Sequence, residues 1–436
     1  MALGGGTFTT QNKVLPGSYI NFISVARANA TLSDRGYAAM GLELDWGEED
    51  KIFTVENSDF QKNCLKIFGY DYTDDKLKGL RDLFINATTL YAYRLTSGGT
   101  KATNTYATAK YCGNRGNDLK VVIQKNTDTE EHFDVMVYLD TQKVFEQKDV
   151  TVISELAEND WVLWKTEASL AVTAGEKLST GTNGTVNGAA HQKCLDLLES
   201  YSFNVLGCTS TDDTIKGLYT AYTKRMRDDV GAKFQLAVHK KPADYMGVVN
   251  VTTESTDDNH PVSSVIYWVT GALAGCAVNK SLLNTKYNGE FAINAEGTQT
   301  ELEKAIKAGE FRFHKVGDDI RVLCDINSFV SVTDTEGVVF QENQTIRVCD
   351  QFAIDVSNKF NTTYLGKVPN DADGRVALRS DIISIANQLQ ELRALEDFAD
   401  DDVTVEQGNT KKDVVVNVSL TPVVAMAKLY MTVKIN

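Results

Sequence analysis

The last two dozen residues alternate apolar and polar side chains almost to the end of the chain. Val414, Val416, Val418 and Leu420 alternate with Val415, Asn417, Ser419 and Thr421. After Pro422, a second ladder sets Leu429, Met431, Val433 and Ile435 against Tyr430, Thr432, Lys434 and Asn436. Period-two alternation predicts strands with one buried face. The N-terminus has the same character. Gly4, Gly5 and Gly6 precede Phe8, and Val14-Leu15-Pro16-Gly17 leads into Ser18–Val25, a strand candidate carrying Tyr19, Ile20 and Phe22. An unpaired strand exposes a row of N–H and C=O groups that another chain can pair with. Two readings follow: both termini pair within their own monomer, or they add as strands to the sheets of neighbouring copies.

Between the termini the pattern changes twice. Residues 31–98 read as α/β, with strands over Tyr37–Leu44 and Lys51–Val55 about a Trp46-Gly47 turn. A helix capped by Ser58 carries Phe60, Leu65 and Phe68, and a second opens at Thr73-Asp74-Asp75, where acidic residues suit the helix dipole. A strand follows over Thr89–Leu95. From about residue 99 to 188 strands dominate (Leu119–Gln124, Phe133–Leu139, Lys143–Phe145), bounded by Gly- and Ser-rich segments. This segment reads as a β-rich insertion within an α/β domain. From 189 to about 325 helices and strands alternate, which predicts a partly parallel sheet covered by helices. Pro261 is placed at the start of a helix running to about Val278.

Two long helices are expected near the end. One spans about Asn343–Asn361, with Ile346, Cys349, Phe352, Ala353, Val356 and Phe360 as its apolar side. The other spans about Leu378–Phe398, with Ile382, Ile385, Leu389 and Leu392 at coiled-coil-like spacing, and ends at Asp400-Asp401-Asp402. Gly408 and Asn409 then loop into the terminal ladder.

Composition narrows the function classes. The 436 residues are 42% hydrophobic, the range of an ordinary globular chain, and carry a formal net charge of −15. That acidity argues against a nucleic-acid partner and against anionic membrane surfaces. The chain opens without a basic-then-apolar leader, so no signal peptide is expected. The longest apolar stretch, Val262–Val278, is interrupted by Ser, Thr and Gly and fits a buried helix better than a membrane span. Seven scattered cysteines without a CxxC read as reduced core thiols in a cytoplasmic setting.

Candidate chemistry is sparse. There is no Gly-x4-Gly-Lys-Ser/Thr phosphate loop and no Gly-x-Ser-x-Gly elbow. The Cys112–Asp118 turn precedes a strand rather than opening a helix, so it lacks a dinucleotide-binding context. The five histidines, His132, His191, His239, His260 and His314, have no zinc-ligand spacing. Asp257-Asp258 and Asp400–Asp402 lack the calcium-loop pattern. Neither a cofactor, a metal nor a catalytic residue is assigned.

Five segments together resemble the contractile tail sheath proteins of bacteriophages and phage-like bacteriocins, in particular the shorter sheaths of phage-like elements in Gram-positive bacteria. They are Leu15–Phe22 with its Pro-Gly-x-Tyr pattern, Arg35–Ala39 with Trp46-Gly47, Ala109–Leu119, Gly271–Ser281 with Tyr287-Asn288-Gly289, and Phe360–Asn370 running into Gly374-Arg375. Cys112 stands where the family pattern suggests proline or another turn former.

The resemblance implies an α/β inner domain from residues 26–98 and 189–410, an inserted outer β-sandwich over 99–188, and extended strand arms at 1–25 and 411–436. It implies a non-enzymatic structural subunit that polymerises as hexameric rings around an inner tail tube and contracts without a nucleotide, driving the tube through a target envelope. The partners implied are further copies of the chain, the tube protein, and baseplate and tail terminator proteins, with no nucleic acid and no direct membrane insertion. The implied location is the tail of a virion or bacteriocin particle, assembled in the host bacterial cytoplasm. The arm residues would be Phe8, Val14, Tyr19, Ile20, Phe22, Val414, Val416, Val418, Leu420, Leu429, Met431, Val433 and Ile435, with hinges at Gly4, Gly5, Gly6, Gly408 and Asn409. On that reading, removing 411–436 leaves a folded monomer unable to polymerise. The alternatives are a monomeric β-rich ligand-binding module, or a hydrolase built on the 189–340 α/β region.

Overall fold

The structure, a computed structural model, describes residues 32–435. The positions singled out at Gly4, Gly5, Gly6, Phe8, Val14, Tyr19, Ile20 and Phe22 lie outside the described residues, as does Asn436.

The first α/β segment contains β1 (Tyr37–Leu42), β2 (Ile52–Glu56), α1 (Asn57–Phe68), α2 (Lys78–Phe84) and β3 (Thr89–Arg94). In β1, Ala38, Met40 and Leu42 enter one core and Ala39 the other, so both faces of this strand are buried. Helix α1 begins one residue before the expected Ser58 cap. Its N-cap is Glu56 and makes no side-chain cap bond. The Asn57 N–H instead donates to the Thr88 carbonyl at 2.9 Å, so the neighbouring strand's lead-in fixes the start.

The insertion contributes β4 (Lys101–Thr103), β5 (Ala107–Cys112), β6 (Leu119–Lys125), β7 (Phe133–Leu139), β8 (Gln142–Val150), β9 (Val162–Trp164) and β10 (Thr173–Lys177). These make a four-stranded sheet, β10-β6-β7-β8, and a three-stranded one, β4-β5-β9. Alternating Val121, Ile123, Val135 and Val137 meet Ala107 and Ala109 in one shared core. Trp46, from the α/β segment, belongs to that core. It stacks on Trp161 at 5.8 Å and meets Tyr111 edge-on at 5.2 Å. The fully buried Arg94 guanidinium donates to the carbonyls of Leu44 (3.1 Å), Gly47 (3.1 Å) and Cys112 (2.9 Å), tying the two segments together. Trp46→Ala is expected to destabilise the chain by about 3–5 kcal/mol, because it removes a large side chain from a closed core. Urea unfolding followed by intrinsic fluorescence measures this.

The chain returns through α3 (Gly188–Leu198), β11 (Val205–Cys208), α4 (Asp213–Arg225), β12 (Gln235–His239), β13 (Val248–Val251), α5 (Val265–Gly275), α6 (Gln299–Lys307), β14 (Glu310–Phe311), β15 (Phe313–Val316) and β16 (Asp319–Val322). The main sheet has seven strands in the order β14-β13-β12-β11-β1-β3-β2 and is parallel except for β2. Helices α1, α2 and α5 cover one face, α3 and α4 the other. This mixed α/β sheet joined to a β-sandwich agrees with the expected fold class. Helix α5 starts at Val265, not Pro261, because residues 261–264 form a turn in which the Ser264 N–H donates to the Pro261 carbonyl at 2.9 Å. Gly271 lets α5 cross close to α2, since a Cβ there would lie 2.2 Å from the Leu83 carbonyl oxygen.

The last part contains α7 (Asn343–Lys359), α8 (Ala372–Glu391), β17 (Val403–Gln407) and β18 (Val414–Val418). Helix α8 starts six residues before the expected Leu378, because the Asp371 carboxylate caps the Gly374 N–H at 2.8 Å. It stops at Glu391, and Arg393 takes a left-handed backbone at φ 60°. Ile382, Ile385 and Leu389 are buried, whereas Leu392 is exposed.

Candidate assembly surface

The terminal ladder folds back on its own chain over its first half. β17 and β18 pair antiparallel, with Val403 opposite Val418, Val405 opposite Val416, and Gln407 opposite Val414. The Gly408 N–H donates to the Asp413 carbonyl at 2.8 Å, and the Thr410 N–H to the Asp413 carboxylate at 3.0 Å. Gly408 and Asn409 therefore open a closed hairpin turn rather than hinge a free arm. Val414, Val418 and Leu420 rest partly buried on the core formed by α8, as the alternation predicts. Val416 shares their side of the strand but stays more exposed. A two-stranded hairpin is marginal alone and takes its stability from such a support. Among the described residues it pairs with no third strand, so its edges are open.

Beyond β18 the chain is tacked down at four points. The Ser419 N–H donates to the Asp402 carbonyl (3.0 Å), the Glu396 N–H to the Thr421 carbonyl (3.0 Å), and the Val423 N–H to the Ala394 carbonyl (2.9 Å). The Ala425 N–H donates to the Gln344 side-chain oxygen at 3.0 Å. After Ala425 no hydrogen bond is made within the described residues. Met426 is fully exposed, and Leu429, Tyr430 and Ile435 are 86%, 88% and 94% exposed. Met431 and Val433 are exposed as well. The second ladder, Leu429–Ile435, thus forms no strand within the described chain, because it has no ladder partner there. A contiguous run of exposed apolar side chains marks an interaction segment.

Helix α7 differs from its expected packing. Ile346 is buried, but Phe352, Ala353, Val356 and Phe360 are only partly so. The buried stripe is largely polar: Asn343, Arg347, Asp350, Gln351 and Asp355, at helical spacing. Two of its charges, Arg347 and Asp350, are paired across the fold. Arg347 contacts Asp325, and Arg227 makes two bonds to Asp350 at 2.7 and 2.8 Å. The Asn343 amide donates to Asp325 at 3.0 Å and accepts from Gln235 at 2.8 Å. Periodicity of hydrophobic residues carries no signal for such a stripe. Its sequence trace is a polar run at 3.6-residue spacing inside a long helix.

No activated nucleophile is found among the thiols. All seven cysteines are free, and burial raises each of them, Cys194 and Cys208 to about 12 and Cys324 and Cys349 to about 11. An attacking thiol needs the opposite shift. His132 contacts Asp149, His191 contacts Tyr219 and His260 contacts Asp75, each as a separate pair. Among the described residues no group of three His, Cys, Asp or Glu is placed to hold a metal ion. No helix there is long and apolar enough to cross a membrane.

Family models match the chain in four consecutive blocks. They are the tail sheath protein Gp18 domain III N-terminal region over 35–95, the phage tail sheath protein beta-sandwich domain over 97–183, the phage tail sheath protein central domain over 184–328, and the phage tail sheath C-terminal domain over 335–436. The phage-like element PBSX protein XkdK of Bacillus subtilis is 28% identical over 471 aligned positions, covering 100% of both chains. The sheath tail protein of Desulfitobacterium hafniense is 36% identical and superposes with a TM-score of 0.83 over 95% of this chain and 99% of that one. The contracted helical sheath of the anti-feeding prophage shares the fold, with 13% identity and a TM-score of 0.58 over 97% of this chain and 99% of that one. Four consecutive domain matches and a full-length structural counterpart lead to one conclusion: the chain belongs to the phage tail sheath protein family.

Proposed function

We propose that this chain is the subunit of a contractile tail sheath, stacking as hexameric rings around an inner tail tube and held to its neighbours by strands exchanged at the chain ends. The observations that carry this reading are the exposed apolar segment beyond Ala425 and a hairpin that pairs with no third strand among the described residues. Leu429, Met431, Val433 and Ile435 supply one face of a strand, and the β17–β18 hairpin of a neighbouring copy supplies the ladder. Backbone pairing gives the link its strength and the alternating side chains its register. The N-terminal positions Phe8, Val14, Tyr19, Ile20 and Phe22 would form a second exchanged strand, with Gly4, Gly5 and Gly6 as its hinge.

On this reading contraction is a change between two packings of the same bodies, an extended lattice and a tighter one. The exchanged strands keep the copies linked through the change. The role is structural, not enzymatic. Its partners are further copies, the tube, the baseplate and the tail terminator, without nucleic acid or membrane insertion. The protein acts in the tail of a phage or bacteriocin particle, assembled in the bacterial cytoplasm. The net charge of −15 opposes premature self-association. Electron microscopy of the full-length chain, alone and with its tube protein, tests the reading. Six-fold rings or helical tubes support it, and discrete monomers under both conditions contradict it.

A further inference from the structure

The roots of both terminal segments are fixed to one helix. At the N-terminal side, the Ser33 N–H donates to the Asp355 carboxylate at 2.9 Å, and the Ser33 hydroxyl donates to the same oxygen. The Gln351 amide bridges the Ser33 carbonyl at 3.1 Å and the second Asp355 oxygen at 2.8 Å. Leu32 packs against the core of the α8 region, before the chain reaches the main sheet at Tyr37. At the C-terminal side, the Ala425 N–H is held by Gln344 at 3.0 Å, the last hydrogen bond before the exposed segment. Gln344, Gln351 and Asp355 are all buried. Asp355 lies eleven positions after Gln344 on the helix, about 17 Å along the axis at about 1.5 Å per residue.

We propose that α7 is a strut that joins the two arms of a subunit: Asp355 and Gln351 hold the root of the N-terminal arm, Gln344 holds the root of the C-terminal arm, and load on one arm reaches the other along the helix without passing through the sheet. The proposal rests on the reading that both arms join neighbouring copies. The Arg227–Asp350 and Arg347–Asp325 pairs hold the strut in register between the two anchors. The anchors are links in series, so breaking either interrupts the same path.

The test uses full-length Asp355→Ala, Gln344→Leu and their double variant, with Asp355→Asn as the conservative variant and Ser33→Ala as one that leaves the helix untouched. Hydrogen exchange of the monomers is expected to quicken about tenfold or more at 32–36 for Asp355→Ala and at 423–425 for Gln344→Leu, each leaving the main sheet unchanged. Preformed sheath tubes of either single variant are expected to dissociate at lower urea than wild type, the double variant no lower than the weaker single, and Asp355→Asn between the alanine variant and wild type. If Asp355→Ala fails to fold, Ser33→Ala carries the same comparison. Wild-type dissociation of both single variants, or effects that add in the double, overturns the strut alone. A chain lacking 426–436 that still forms tubes overturns the arm reading and the strut with it.

Discussion

A chain ending at Ala425 is expected to fold normally and to form no tubes. The residues removed make no hydrogen bond within the described chain, and their large apolar side chains lie in solvent. Their loss leaves the hairpin, its α8 support and the Gln344 anchor intact, so the melting temperature is expected to stay within about 2 °C of the full chain. Assembly loses far more. Burying a side chain such as Leu429, Met431, Val433 or Ile435 is worth about 1.5–3 kcal/mol, and each subunit loses that contribution together with a row of ladder hydrogen bonds. The cut at residue 411 suggested by the sequence is a poorer experiment. It removes β18, uncovers Val403 and Val405, and confuses a folding defect with an assembly defect. Sedimentation and electron microscopy of the chain ending at Ala425 separate the two. Tubes of normal length from that chain would count against the arm.

The second large effect is expected inside the fold. Asp350→Ala should destabilise the chain by about 3–5 kcal/mol, because it leaves the buried Arg227 guanidinium without its carboxylate. Burial works to lower the Arg227 pKa, and Asp350 outweighs it, holding the group above the ordinary arginine value. Once Asp350 is gone, Arg227 keeps the Phe234 carbonyl and the Tyr245 hydroxyl, neither of which carries a full negative charge. Replacing both partners with apolar residues, Arg227→Met with Asp350→Leu, is expected to cost much less than the single change, since no charge is stranded. Urea unfolding of Arg227→Met, of Asp350→Leu and of the double gives the coupling directly. Equal losses for the single and the double would show that the charge pair is not what holds α7.

These two effects mark where the sequence was informative and where it was not. Alternation placed β7 and the Val414–Val418 strand well, because one face of each rests on apolar partners. Pro261 and the Asp400–Asp402 run misled the helix boundaries, since Pro261 opens a turn before α5 and Asp400–Asp402 form a separate one-turn 3-10 helix nine residues past the end of α8. The partner of β18 escaped notice although its signal was present: Val403 and Val405 alternate on the far side of the Gly408-Asn409 turn, the pattern of a hairpin. The burial of the polar face of α7 is not legible in its own segment, for a different reason. Asn343, Arg347, Asp350 and Asp355 are buried only because Asp325, Arg227, Gln235 and Ser33 arrive from distant parts of the chain. Hydrophobic periodicity assigns burial to the apolar side, and no local pattern announces a remote partner.

The glycines show the same division. Gly271 and Gly275 stand out in the sequence as breaks in an apolar run. Only the folded chain gives the reason, which is that α5 passes against the backbone of α2 and the segment after it. The family resemblance pointed to the region without this physical cause.

The most direct test of the account is a helical reconstruction of the assembled sheath by electron cryomicroscopy, at a resolution that traces residues 403–436. The β17–β18 hairpin of one subunit is expected to carry an added strand from another, with Leu429, Met431, Val433 and Ile435 on its buried face. A reconstruction in which 426–436 folds back on its own subunit, and the hairpin edges stay unpaired, would contradict it.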